Sequence, residues 1–138
     1  MAKQVRELMT SNPSTVEANT PVVEAARLMR DEDIGIVPIV EGDRLVGTIT
    51  DRDITIRVVA EGGDPQSTTV REIASTQLVT IDPGQNLDEA LRLMAQHQVR
   101  RLPVVEEDGR LVGIVAQADV ARAGEDVKTG QVVEEISR

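Results

Sequence analysis

The chain has 138 residues, 40% of them hydrophobic and 28% charged, the mixture of a globular protein long enough to bury a core without staples. It contains no cysteine, no aromatic residue and a single histidine, His97. That composition excludes disulfides, thiolate catalysis, cysteine-based zinc sites, multi-histidine metal sites within one chain, and nucleic-acid binding by stacking on aromatic rings. The net charge of −9 is shared by both halves of the chain, which argues against general nucleic-acid binding and requires a locally positive pocket for any anionic ligand.

No run approaches the roughly 18–20 apolar residues of a membrane span. The opening Met-Ala-Lys-Gln-Val-Arg-Glu lacks the apolar centre of a signal peptide, so the expected location is cytoplasmic, with no membrane partner.

The chain repeats itself. At an offset of 65 residues, Val5-Arg6-Glu7 returns as Val70-Arg71-Glu72, Arg27-Leu28-Met29 as Arg92-Leu93-Met94, and Pro38 as Pro103. At an offset of 66, Arg44-Leu45-Val46-Gly47 returns as Arg110-Leu111-Val112-Gly113, and Asp53 as Asp119.

Each copy predicts the same elements in order. A short helical turn comes first, over 5–9 and 70–74, then an extended piece, over 14–16 and 78–81. A helix follows. In the first copy Thr20 is the predicted cap with Pro21 at the first helical position, and in the second Asn86 is the cap with Glu89 three residues on. The stripes Val22, Ala25, Ala26, Met29 and Leu87, Ala90, Leu91, Met94 share one helix face and read as core. Two strands joined by a glycine-containing turn come next, over 36–40 with 44–50 and over 102–105 with 110–116. Pro38 and Pro103 cannot donate to a ladder and are expected at an edge or an irregular position. A closing helix occupies 51–60 and 117–123. The reading divides the chain into repeat one (5–60), a linker (61–69), repeat two (70–123) and a C-terminal extension (124–138) with a short helix carrying Val132, Val133 and Ile136. A unit of about sixty residues buries too little surface alone, so the fold class is α+β, two pseudo-symmetric β-α-β-β-α units packed sheet to sheet.

The sharpest motif is Gly47-Thr48-Ile49-Thr50-Asp51-Arg52-Asp53, where a strand runs into a helix. Free N–H groups at that helix start would attract an anion. Thr50 can offer a hydroxyl to phosphate, Asp53 can chelate a vicinal diol such as ribose, and Arg52 and Arg57 can supply positive charge. Thr50-x-x-Asp53 equally fits a capping box, in which both side chains only satisfy helix N–H groups. In the second copy Thr50 is replaced by Ala116 while Asp119 stays, and an acid that outlives its hydroxyl partner speaks for a ligand role.

Tandem units with an apolar-Pro-apolar-apolar strand before the hairpin and Gly-x-x-Thr-x-x-Asp after it resemble a pair of CBS domains, a Bateman module. The resemblance spans about residues 5–123 and is closest to free-standing two-repeat members, through Asp33-Ile34-Gly35, Thr50-Asp51-Arg52-Asp53-Ile54 and His97-Gln98-Val99-Arg100-Arg101. It implies a regulatory sensor that binds an adenosine-containing ligand such as AMP, ADP or ATP in clefts between the repeats. It implies a first site of Thr48, Thr50, Arg52 and Asp53 with Val79, Val99 and Arg100, and a weaker second site of Ser14, Ile34, Gly35, His97 and Asp119, where Ala116 departs from the pattern. It also implies a homodimer, a flat disk of four repeats, and a separate regulated protein.

No catalytic constellation is visible: His97 lies in no nucleophile motif, and the acidic runs Asp31-Glu32-Asp33 and Glu106-Glu107-Asp108 read as solvated loops. No catalytic residue, metal or cofactor is therefore expected, the adenosine nucleotide being a ligand. The competing reading is a homodimeric interaction module that regulates a partner and binds no small molecule.

Overall fold

A computed structural model describes residues 3–123 of the chain, so the C-terminal extension and its expected helix lie outside the described residues. The elements are α1 (Val5–Leu8), β1 (Thr10–Ser11), β2 (Val16–Glu17), α2 (Val22–Glu32), β3 (Ile36–Glu41), β4 (Arg44–Thr50), α3 (Asp51–Ile54), α4 (Val70–Ile73), α5 (Leu87–His97), β5 (Arg101–Val105), β6 (Leu111–Ala116) and α6 (Gln117–Ala123). They make a mixed α and β fold with two three-stranded sheets.

The chain divides into two compact units, and the division does not follow the sequence repeat. One unit is Ser14–Leu78. The other joins the segment before Ser14 to the chain from Val79 onward. Thus α1 and β1, which open the first copy in sequence, pack with the second copy: Thr10 pairs with Ile114 on β6. Sixty-five residues later Ser75 pairs with Thr48 in the other unit in the same antiparallel sense.

In the Ser14–Leu78 unit the sheet order is β2-β3-β4, with β2 parallel and β4 antiparallel to β3. Val22, Ala25 and Met29 of α2 are buried with Val37, Ile39 and Ile49 of the sheet and with Val58, Val70 and Ile73. The second unit has the order β1-β6-β5 and a core of Val5, Ile81, Ala90, Met94, Leu102, Val104, Val115 and Val120. With no aromatic residue available, fully buried Ile39, Ile49, Met94 and Leu102 are among the largest side chains at the centre of each unit.

Four details differ from the sequence reading. Thr20 does not cap α2. The helix starts at Val22 with Pro21 as its cap residue and no side-chain bond, because the Val22 N–H donates to Thr68 O at 2.8 Å and the Val23 N–H to Pro65 O at 2.9 Å. Backbone carbonyls of the inter-repeat segment replace the hydroxyl. Asn86 does cap α5, accepting from the Glu89 N–H at 2.9 Å. The stretch 78–81 forms no strand, only a parallel bridge between Ile81 and Val104. The closing helix of the first unit is α-helical only to Ile54 and continues as a π-helix over Thr55–Val59.

The fourth concerns the prolines. Pro103 lies on β5, an edge strand as expected. Pro38 lies on the middle strand of its sheet. It is tolerated because its partner on β4, Thr48, sends both its N–H and its C=O to Ser75 (3.1 and 2.9 Å), and because β2 pairs with β3 only from Ile39 onward. No ladder bond is asked of the Pro38 nitrogen on either side.

Candidate functional site

The motif Gly47–Asp53 lies where β4 hands over to α3 in the Ser14–Leu78 unit. The glycine is there for packing. A Cβ at Gly47 would come within 3.2 Å of both Ala74 Cβ and Ser75 O, and one at Gly113 within 2.5 Å of Met9 Sδ and 2.9 Å of Thr10 O. In each unit the segment that pairs beside the strand passes directly over the glycine.

Thr50 and Asp53 form a reciprocal capping box. Thr50 Oγ1 accepts the Asp53 N–H at 3.1 Å, and Asp53 Oδ2 accepts the Thr50 N–H at 2.9 Å. The remaining donors of the turn are also taken. The Asp51 N–H donates to Gly35 O at 3.0 Å, and the Arg52 N–H to Asp51 Oδ1 at 2.8 Å. The sequence expectation of free N–H groups is therefore corrected: every amide from Thr50 to Asp53 already has an acceptor. An anion here must rely on the Thr50 hydroxyl proton and the exposed Arg52 guanidinium instead of an open amide cradle. Arg57 is directed elsewhere, donating to Ile73 O at 3.1 Å at the end of α4.

The second unit repeats half of this arrangement. Asp119 Oδ2 accepts the Ala116 N–H at 2.9 Å, and the Gln117 N–H donates to Arg100 O at 2.8 Å, as Asp51 does to Gly35. Asp119 thus keeps a capping task without any hydroxyl, and its persistence gives no support to a ligand role. Its other oxygen, Oδ1, pairs with Arg122 at 2.6 Å. Among the described residues no such donor meets Asp53 Oδ1, because the repeat places Ile56 where Arg122 stands.

The remaining residues singled out from the sequence fall in one unit or the other. Ser14, Ile34, Gly35, Thr48, Thr50, Arg52 and Asp53 belong to the Ser14–Leu78 unit, and Val79, His97, Val99, Arg100 and Asp119 to the second. Gly35 and Arg100 each sit at the strand-to-helix junction of their own unit, through the carbonyl bonds above. Ile34 and Val99 occupy matching places, each donating its N–H to the preceding helix, at Met29 O and Met94 O, both at 3.0 Å. Both pack against their unit's core, as does Val79. The Ser14 hydroxyl donates to the Glu32 carboxylate at 2.7 Å. His97 is the exposed last residue of α5, where the helix dipole favours a cation. Sequence reasoning missed Ser75, Arg122 and the capping role of Asp51. Only Arg122 left a signal, the charged-for-apolar exchange with Ile56 between the copies.

No helix among the described residues is long and apolar enough to cross a membrane. Comparison with known proteins gives relatives of the same length class. CBS domain-containing protein YhcV of Bacillus subtilis is 48% identical over 117 residues, 85% of this chain and 82% of that protein. Hypoxic response protein 1 of Mycobacterium tuberculosis is 43% identical over 118 residues, 85% of this chain and 82% of that protein. Among solved structures, Hypoxic Response Protein I with two coordinated zinc ions matches at a TM-score of 0.80 and 42% identity, over 87% of this chain and 98% of that one. This chain has no cysteine and one histidine, and among its described residues no three His, Cys, Asp or Glu gather as metal ligands. CBSX2 in complex with AMP matches at 0.77 and 26% identity, over 88% of this chain and 96% of that one. The CBS domain pair of MJ0100, with 5'-methylthioadenosine and S-adenosyl-L-methionine, matches at 0.78 and 28% identity, over 91% and 100%. The CBS domain itself matches twice in this sequence, over residues 5–60 and 70–126, and the chain belongs to that family as a tandem pair.

Proposed function

We propose that this chain is a non-catalytic regulatory sensor, cytoplasmic and homodimeric, that binds an adenosine-containing ligand. Thr50 and Asp53 carry the binding. The observation behind this is the division of labour within their capping box. Each side chain spends one atom on the helix and keeps one for a ligand: the Thr50 hydroxyl proton can donate to a phosphate or other oxygen, and Asp53 Oδ1 can accept from a ribose hydroxyl. The cap also holds both groups in place before a ligand arrives, which lowers the ordering cost of binding. Arg52 adds charge, Thr48 lies two residues earlier on the same strand face, and Val79, Val99 and Arg100 are proposed as further contacts. Ser14, Ile34, Gly35, His97 and Asp119 make the weaker second set. The support from relatives is that two solved CBS proteins hold AMP or S-adenosylmethionine. Association of two chains, and with it a regulated partner, draws on the exposed apolar side chains Ile56 and Val59 of the π-helix.

The test is calorimetry with AMP, ATP and S-adenosylmethionine on the wild type and on Asp53→Ala. Saturable binding that Asp53→Ala abolishes is expected, with thermal stabilisation following mass action, about 2.7 kcal/mol at a hundredfold excess over Kd. Binding that Asp53→Ala leaves unchanged would remove this junction from the mechanism. One observation favours the second reading, an interaction module without a ligand: every amide of the α3 turn is satisfied within the protein. A flat thermal-shift response to all three ligands, with a partner protein co-purifying, decides for that reading.

A further inference from the structure

We infer that Arg122 is a specificity-determining residue that weakens the second junction, so that one adenosine-type ligand binds tightly per chain. The inference rests on the reading of Asp53 as a ribose acceptor. The two acids are equivalent in the repeat and make the same cap with the same oxygen, Asp53 Oδ2 to Thr50 N–H and Asp119 Oδ2 to Ala116 N–H, both at 2.9 Å. They differ at the other oxygen. Asp119 Oδ1 is engaged by Arg122 at 2.6 Å, one helical turn on, while no donor among the described residues meets Asp53 Oδ1. Arg122 replaces Ile56 of the first copy, which has no group to donate.

The ion pair weakens the second junction in two ways. It occupies the lone pairs that a diol would need, and it pairs the carboxylate charge that would strengthen a hydroxyl bond. The Asp119 side chain is only 12% exposed and is held on two sides, whereas Arg122 is 77% exposed and swings free at little cost. An exposed pair of this kind weakens a competing ligand by roughly three- to fivefold. Ala116 removes the hydroxyl separately. Two defects, one in each functional group, thus separate the copies.

The experiment is calorimetric stoichiometry with AMP and with S-adenosylmethionine on four full-length chains: wild type, Ala116→Thr, Ala116→Thr/Arg122→Ile, and the double variant carrying Asp53→Ala. The wild type takes up one equivalent. Ala116→Thr adds a weak second one, and Arg122→Ile tightens that second equivalent three- to fivefold. Adding Asp53→Ala to the double variant removes the first equivalent and leaves the second. Equal second-site affinity with and without Arg122 would overturn the inference, as would a wild type that binds two equivalents of like affinity; both results leave the Asp53 site standing. A wild type that binds neither probe overturns the Asp53 reading, and the inference falls with it. Far-UV circular dichroism and unchanged cooperative melting show that each variant is folded.

Discussion

Thr50 and Asp53 hold each other's backbone amide, at 3.1 and 2.9 Å, so the same two side chains that could grip a ligand also start the helix. Stability and binding must therefore be separated by choice of substitution. Asp53→Asn keeps a side-chain oxygen for the Thr50 N–H but loses the charge. It should cost little stability while weakening a ribose contact at least tenfold, because the charge-assisted bond to the diol is gone. Thr50→Val removes the hydroxyl and should lower stability by about 1 kcal/mol. Thr50→Ser should restore both stability and binding. Urea unfolding alongside calorimetry checks the set; parallel losses in both measurements for Asp53→Asn would mean that the pair is a cap and nothing more.

The cores predict a second result. Leu102 and Ile49 are each fully buried, in different units, with no aromatic neighbour able to lean into a gap. Leu102→Ala and Ile49→Ala should each cost about 2–5 kcal/mol, the range for truncating a buried aliphatic side chain where the surroundings relax only in part. Denaturant titration measures this. A cost under about 1 kcal/mol at either position would show that the unit around it is not close-packed.

What could be read from the sequence was what local pattern dictates. The stripe Val22, Ala25, Met29 and its partner Ala90, Met94 fixed two helices with their buried faces, and the hairpins followed from apolar strands around Gly42 and Gly109. Three things were hidden. The offset of 65 residues shows that copies exist but not which copy a segment packs with, and α1 and β1 join the far one, β1 by pairing with β6. Thr55–Val59 carries no residue that announces a π-helix. Whether a helix start is open to an anion depends on the rotamer of Asp51, which turns onto its neighbour's amide. The motif was therefore legible as chemistry, while the free or engaged state of each donor was not.

Acid should weaken the fold through two surface carboxylates, Glu72 and Glu89. The Thr69 N–H and hydroxyl, bonded to Glu72 Oε2 at 2.7 and 3.1 Å, hold that carboxyl below its ordinary value of 4.5, the backbone bond being the larger cause. The Arg92 guanidinium bond lowers Glu89 in the same way. A group whose folded value is depressed stabilises the fold above its unfolded value, and that contribution disappears as pH falls through the folded value. Stability should thus be flat near neutrality and decline below about pH 4.5. Glu72→Gln/Glu89→Gln should flatten that decline, seen as a smaller change in urea midpoint between neutral and acid buffers. Glu72 is exposed and Glu89 is partly exposed, so water screens both and the change is modest. An unaltered slope would assign the acid limb to other carboxylates.

Gly113 and Gly47 occupy equivalent places but are guarded by different residues. A Cβ at Gly113 would sit 2.5 Å from Met9 Sδ and 2.9 Å from Thr10 O, whereas one at Gly47 would meet Ala74 Cβ and Ser75 O at 3.2 Å. The first approach is below what real Cβ atoms tolerate, so β1 must shift away from β6. The second needs only a few tenths of an ångström. Gly113→Ala should therefore destabilise by about 1–3 kcal/mol, the ordinary cost of overpacking, and Gly47→Ala by less. Loss of chain entropy in the unfolded state offsets part of the second penalty. Met9 and Ala74 are themselves equivalent, so Met9→Ala/Gly113→Ala gives the second unit the side chain that guards Gly47. Removing the thioether relieves the worse clash and leaves only the Thr10 carbonyl, and the double variant should recover part of the loss relative to the sum of its single changes. A double-mutant cycle from urea midpoints measures this coupling. Strict additivity would show that the backbone of β1, and not the Met9 side chain, sets the need for glycine at position 113.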